Sequence, residues 1–375
     1  MKDQIKVAFV HDWLIDRGGA ETVLSAMLDL WPEAPVYTLV YDKNGPCKEL
    51  LEGHEVFTSS LQKLPNSVKN YRKFLPIMPL AIEQFDLSGF HLVLSSSFAV
   101  AKGVITGPDQ LHISYVHSPI RYAWDLQHQY LDELSLINGL KSWIVRMILH
   151  YIRIWDSRTD SGVDHYISNS KYISRRILKA YRRKATVIHP PVDIKKFTIG
   201  NKKENFYLTA SRMVPYKRMN LIVEAFHDMP ERKLIVIGDG PEFKKIKKNA
   251  SPNVIFLRHT SSEELKDHMQ RSKAFIFAAE EDFGITPLEA QACGTPVIAY
   301  KKGGALETVL EGKTGVFFEE QSVNSLRNTI EDFENKNFEW NQNVIREHAL
   351  LFSKERFQNE FKNFVDEKWR KFLIV

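Results

Sequence analysis

Ala274-Phe-Ile-Phe-Ala-Ala279 leads into Glu281-Asp-Phe-Gly-Ile-Thr-Pro-Leu-Glu289, and Leu288-Glu-Ala-Gln-Ala-Cys293 carries on from there. The first run is short, apolar and rich in aromatic and branched residues, the pattern of a buried strand. Gly284 and Pro287 punctuate a turn, and the last run has helix-forming composition. The reading is strand, turn, helix start. N–H groups without a partner at such a start attract phosphate and polar ligands. Glu281 hangs on the turn, and Glu289 is placed in the first helical turn, where the helix dipole favours a negative side chain. Two acceptors flanking a bed of donors suit a ligand with both hydroxyls and phosphates. A capped helix with two solvated acids has the same local pattern, so the rest of the chain must decide.

Outward from this segment the same alternation repeats, which predicts α/β architecture with parallel sheets. Strands are expected at Ile5–Val10, Leu92–Ser96, Leu111–Val116 and His165–Ser170, with helices over Glu21–Leu30, Leu140–Ile154 and Lys171–Tyr181. Pro190 and Pro191 then interrupt the pattern, and Lys195–Asn205 is polar. A domain boundary is placed there. A second series follows at Asn205–Ser211, Lys233–Gly238, Val254–Leu257, Ala274–Ala279 and Pro296–Ala299. The expected division is residues 1–190, residues 191–355 and a terminal helix over 356–375.

The 375 residues suffice for two ordinary domains, and 43% hydrophobic with 26% charged residues is normal for a globular chain. No apolar run approaches the roughly 20 residues of a membrane span. The N-terminal apolar run is too short for a signal peptide, and Cys47 and Cys293 form no metal-ligand pattern, so a cytoplasmic location is expected. Net charge is +5, but from Ile137 to Pro190 eleven Lys/Arg face three acids. Lys69-Asn-Tyr-Arg-Lys73 also precedes the apolar Phe74–Leu80. Basic residues interleaved with Trp, Tyr, Leu and Ile suit an anionic bilayer surface. They equally suit a solvated helix face beside core residues. No nucleic-acid-binding module, Walker motif or Gly-x-Gly-x-x-Gly is present, so a nucleic acid partner, a triphosphatase and a nicotinamide enzyme are disfavoured.

The pair Glu281 and Glu289 around a Phe-Gly turn, Ser211-Arg-Met-Val-Pro-Tyr-Lys-Arg218, Asp16-Arg-Gly-Gly-Ala-Glu21 and Ser114-Tyr-Val-His-Ser-Pro-Ile-Arg-Tyr-Ala-Trp-Asp125 resemble the family 4 retaining nucleotide-sugar glycosyltransferases. The resemblance runs over nearly the whole chain. It implies the GT-B fold, two Rossmann-like domains facing each other across a cleft, with the terminal helix crossing back to the first domain. It implies that Arg212 and Lys217 bind the donor diphosphate, that Glu281 contacts the transferred sugar and that Glu289 accepts from the ribose hydroxyls. Main-chain groups of Phe283, Gly284, Ile285 and Thr286 would face the sugar and phosphate, the Gly238 turn would lie near the nucleotide, and Phe256–His259 would hold the base. In the first domain it assigns Gly18 and Gly19 to the diphosphate and His117 to the sugar or the leaving phosphate, while His11-Asp12-Trp13 faces the acceptor.

The physics agrees with these assignments. Negative charge grows on the departing diphosphate, and two fixed cations stabilise it more in the transition state than before it. No Asp-x-Asp motif is present, so no metal and no cofactor beyond the donor are expected. The His-Ser-Pro and Val-Pro-Tyr-Lys-Arg runs look like mannosyltransferases of bacterial surface polysaccharide synthesis, which points to GDP-mannose. The acceptor would be a glycan or a glycan on a polyprenyl diphosphate, with peripheral contact at the inner face of the membrane. Rival readings are a UDP-sugar enzyme of the same fold, a non-hydrolysing sugar-nucleotide epimerase, and an inactive sugar-nucleotide-binding protein.

Overall fold

The computed structural model describes residues 5–258, 260–335 and 340–374. It forms two compact units, Met1–His189 with Phe357–Val375, and Pro190–Arg356.

The first unit holds a parallel sheet of β1 (Val7–His11), β2 (Val36–Thr38), β3 (Val56–Thr58), β4 (Leu92–Ser97), β5 (Leu111–Val116), β6 (His165–Ser168) and β7 (Ala185–Val187). Their order is β3-β2-β1-β4-β5-β6-β7. Both faces are covered. Val7, Phe9, Leu92, Leu94, Leu111 and Ile113 pack on one side, while Ala8, Val10 and Val93 pack on the other. This two-sided burial is why these strands read as continuous apolar runs rather than alternating ones. The final helix, Lys354–Phe372, sends Phe357, Phe361 and Val365 into the first of those clusters. Their spacing of four puts them on one helical face, and each burial contributes roughly 1.5–3 kcal/mol.

The second unit has β8 (Phe206–Ala210), β9 (Lys233–Ile237), β10 (Val254–Leu257), β11 (Ala274–Phe277), β12 (Val297–Tyr300) and β13 (Gly315–Phe318), in the order β10-β9-β8-β11-β12-β13. It too is parallel and covered on both faces. Tyr207, Leu234, Val236, Ile276 and Ile298 face one cluster, and Leu208, Ile235, Ile237, Phe275, Phe277 and Val297 the other. Two Rossmann-like α/β units are thus present. In each, the strand order reverses beside the first strand, between β1 and β4 and between β8 and β11. Ligands of such sheets bind at the carboxyl ends of the strands flanking that switch point.

The expected strands are all found, two of them to the residue and the others with ends shifted by at most two residues. The helix expected over Glu21–Leu30 occupies Gly19–Leu28, and that over Leu140–Ile154 runs on to Arg158. β2, β3, β7 and β13 were not foreseen.

Candidate functional site

In the second unit the switch point brings together segments far apart in sequence. β8 ends at Ala210, Pro215–Lys217 forms one 3-10 turn, and Arg218 takes a left-handed conformation before helix Met219–Ala225. This turn aims Lys217 at the loop after β11. Its ammonium pairs with the Glu281 carboxylate, and each side chain is 17% exposed. Arg212 is exposed and forms no ion pair among the described residues. A crevice between the ends of β8 and β11 is lined by Ser211, Lys217, Phe277 and Ala279.

Gly238 closes β9 against this segment. Its φ is +137°, and a Cβ there would lie 2.0 Å from the Ser211 carbonyl oxygen. A side chain would push the Ser211–Lys217 segment away. Asp239 is held by Arg258 at 2.7 Å, a surface ion pair with a structural role. Phe256, Leu257 and Arg258 are placed, whereas His259 lies outside the described residues.

Gly284, with φ +88°, starts helix Ile285–Ala292. The first N–H groups of that helix, at Ile285 and Thr286, have no carbonyl a turn behind them. Phe283 is buried against Val192, Leu288 and Phe352, which fixes the loop from inside. One expectation is corrected here. Glu289 is the fifth helical residue and not in the first turn, which holds no acid. The helix begins earlier than its composition indicates because proline is tolerated in a first turn. The dipole argument for Glu289 therefore fails. Burial governs it instead and pushes its carboxyl up to about 7, with Lys196 opposing and Asp193 adding. The Glu289 side chain makes no hydrogen bond or ion pair among the described residues.

Sequence reasoning missed the support of this loop. Gly304 donates its N–H to the Glu281 carbonyl at 2.8 Å, and a Cβ on Gly304 would lie 2.2 Å from the Phe283 Cα. The signal was available as a Gly-Gly pair three residues past a buried strand. Asp193 and Lys196, just past the expected domain boundary and not singled out from the sequence, act electrostatically on Glu289.

The first unit has its own polar cluster at the ends of β1, β4 and β5. His117 is 8% exposed, and its Nε2 lies 2.9 Å from Ser96 Oγ. Ser96 Oγ is 3.1 Å from His11 Nδ1, and His11 Nε2 is 3.4 Å from Glu21 Oε1. The other Glu21 oxygen accepts the Gly18 N–H at 2.8 Å. One chain of buried polar groups thus runs from the Gly18-Gly19 turn, itself exposed, to His117. Burial, then the nearby His11, holds the His117 imidazole down at about 3, so it is neutral at ordinary pH. Neutral imidazole has one N–H and one acceptor, and Ser96 selects how the ring is used.

Asp12 is fully buried and accepts four backbone N–H groups, from Phe98, Ala99, Val100 and Ala101, at 2.5–3.0 Å. It ties the loops after β1 and β4 together, a structural task that occupies both its oxygens. Trp13 packs edge-on to Phe98 at 4.7 Å. Ser96, His11 and Glu21 were not singled out for this chain. The run Ser95-Ser-Ser97 ending a buried strand was the available signal, since buried hydroxyls need partners.

Among the described residues no group of three His, Cys, Asp or Glu could hold a metal ion. Among the described residues no helix is long and apolar enough to cross a membrane.

A cationic turn facing a carboxylate at the switch point of a parallel sheet is an arrangement suited to an anionic, hydroxyl-bearing ligand. Residues 192–349, within the second unit, match the family model of the glycosyl transferases group 1. The resemblance to family 4-type, GT-B glycosyltransferases is borne out. The chain is 30% identical over 194 residues to the GDP-mannose-dependent alpha-(1-6)-phosphatidylinositol monomannoside mannosyltransferase of Mycolicibacterium smegmatis, covering 44% of this chain and 51% of that protein. It spans about half the length of that relative. It is 23% identical to the alpha-1,3/1,6-mannosyltransferase alg2 of Schizosaccharomyces pombe, over 84% of this chain and 71% of the other. Among solved structures, the Anabaena HepE protein in complex with UDP and glucose superposes with a TM-score of 0.68 at 18% identity, covering 97% of this chain and all of that one, a likeness of fold.

Proposed function

We propose that the chain is a retaining glycosyltransferase that moves a hexose from a nucleoside diphosphate sugar to a glycan or lipid-linked glycan. The observation that carries this is the Lys217–Glu281 pair at the second switch point. In such a donor the diphosphate and the transferred sugar are bonded neighbours, so the cation serving one and the carboxylate serving the other must also be neighbours. Lys217 and Glu281 meet that requirement across 64 residues of sequence. Arg212 supplies the second cation on the same segment, and Glu289, one helical turn past the loop, takes the ribose hydroxyls.

In the reaction, the bond from the anomeric carbon to the diphosphate oxygen breaks. The acceptor oxygen attacks from the face the diphosphate leaves, and its proton passes to a phosphate oxygen. Lys217 and Arg212 hold the charge that grows on the leaving group. The N–H groups at Ile285 and Thr286 orient sugar and phosphate oxygens. Glu281 fixes the sugar by its hydroxyls. His117, neutral and anchored through Ser96, can act only as a hydrogen-bond group and not as a charged one. Two side-chain cations do here what a divalent ion does elsewhere, so we propose a metal-independent reaction.

The donor is proposed to be GDP-mannose. The Mycolicibacterium and Schizosaccharomyces relatives, both mannosyltransferases by name, support mannose, and the former supports GDP. The UDP complex of the Anabaena protein keeps UDP-sugars as the second reading. A panel of GDP- and UDP-sugars with saccharide and polyprenyl-diphosphate-linked acceptors, run in chelator, tests all of this. Release of GDP with formation of an α-linked product is expected. Conversion of donor without acceptor would establish an epimerase instead, and no turnover with any pair would sink the transferase reading.

A further inference from the structure

Helix Leu140–Arg158 in the first unit has two unlike sides. One side buries Leu149, Ile152 and Trp155. The other presents Leu140, Trp143, Ile144, Met147, Tyr151 and Ile154, between 45% and 73% exposed. Their spacing of three, four, seven and eleven places them on one stripe, broken only by the ring of His150. A stripe of this size is not what a solvated helix presents.

Charge indicates what covers it. The exposed side of the helix has Lys141 and Arg158 near its ends and no carboxylate. The one acid of the helix, Asp156, is buried and paired with Lys102 at 3.0 Å. The neighbouring segment Tyr71–Ile77 is tied in through Leu75, which packs on the same cluster as Leu149 and Ile152. Residues 69–80, of which that segment is part, add exposed Lys69, Arg72, Lys73, Ile77 and Leu80. Apolar residues with Trp and Tyr among them, flanked by basic residues and free of acids, match an anionic bilayer surface. A second copy of the chain would set these cations against each other.

We propose that this stripe lies in the headgroup region of an anionic membrane, with the helix parallel to the bilayer plane and Lys141 and Arg158 reaching lipid phosphates. This deepens the lipid-linked acceptor in the functional reading above and names the surface that would bring the chain to it. Bilayer binding needs no sugar donor, so the two ideas fail separately.

The test is sedimentation of the full chain with vesicles of phosphatidylcholine alone, or with about a third phosphatidylglycerol. The wild type is expected to pellet with the anionic vesicles, with affinity falling as salt rises. A Trp143→Ser/Met147→Ser/Ile154→Ser variant should keep its melting temperature and lose binding about tenfold or more. Lys141→Glu/Arg158→Glu should lose the preference for anionic lipid. Wild-type protein that stays in the supernatant with anionic vesicles at low salt overturns the proposal, as does a triple variant that binds like wild type. So does a wild-type dimer, indifferent to vesicles, that the triple variant turns into monomer. Absent vesicle binding beside intact donor stabilisation would remove this inference alone.

Discussion

Replacing Lys217 by alanine removes a cation from a turn whose geometry is set by β8, Pro215 and Gly238. Lys217 and Glu281 are each 17% exposed, so the effective dielectric around them is near the surface value of about 20. A unit charge about 4 Å from a phosphoryl oxygen is then worth about 4 kcal/mol. Part of that attraction already exists when the donor is bound. What grows as the bond breaks, together with the uncompensated Glu281 left behind, sets the loss at roughly 3–4 kcal/mol, a factor of about 10² to 10³. Stability should hardly change, because a partly exposed ion pair contributes about 1 kcal/mol or less. The assay is steady-state release of nucleoside diphosphate, with melting followed in parallel. Lys217→Arg, which keeps the charge but not the shape, should fall between the two. Turnover of Lys217→Ala within about fivefold of wild type, with an unchanged fold, would refute the diphosphate role.

Other outcomes follow from the same structure. Burial raises the Glu289 carboxyl from the ordinary 4.5 to about 7, so the folded state binds a proton the unfolded chain has lost between those pH values. Its contribution to stability is therefore greatest below about 4.5 and declines as pH rises to 7, and Glu289→Gln should melt higher than wild type at pH 8 yet bind donor worse. Donor affinity of the wild type should improve as pH rises through 7, a dependence the variant should lack when followed by calorimetry. Gly238→Ala would set a Cβ 2.0 Å from the Ser211 oxygen, and melting should drop by several degrees with donor affinity falling alongside. Lys102→Ala would strand the fully buried Asp156 carboxylate, and denaturant unfolding should show a loss of about 3–5 kcal/mol.

Much of the fold was legible because its strands are buried on both faces. Leu111–Val116 and Val254–Leu257 read from composition to the residue. β2 and β3 were not, since three residues at or near a sheet edge make no periodic signal. The helix after Gly284 was read three residues late because Pro287 looked like a breaker, and Glu289 was misplaced with it. The residues of the site were partly legible as motifs. Their juxtaposition was not. Lys217 meets Glu281 because β8 neighbours β11, and Ser96 links His117 to His11 because β4 lies between β5 and β1. Spacing along one segment does not encode such crossovers. The support Gly304 gives to Glu281 was hidden for the same reason, as β12 must first dock beside β11.

The central claim is that the Arg212–Lys217 segment receives the diphosphate of a sugar nucleotide. Titration calorimetry of the full chain with GDP-mannose and UDP-glucose, in chelator, for wild type and Lys217→Ala, reads it directly. Micromolar-range binding of one of the two by the wild type is expected, weakened about tenfold or more by the substitution. Equal affinity in both proteins, or no binding of either nucleotide without a divalent ion, would contradict it.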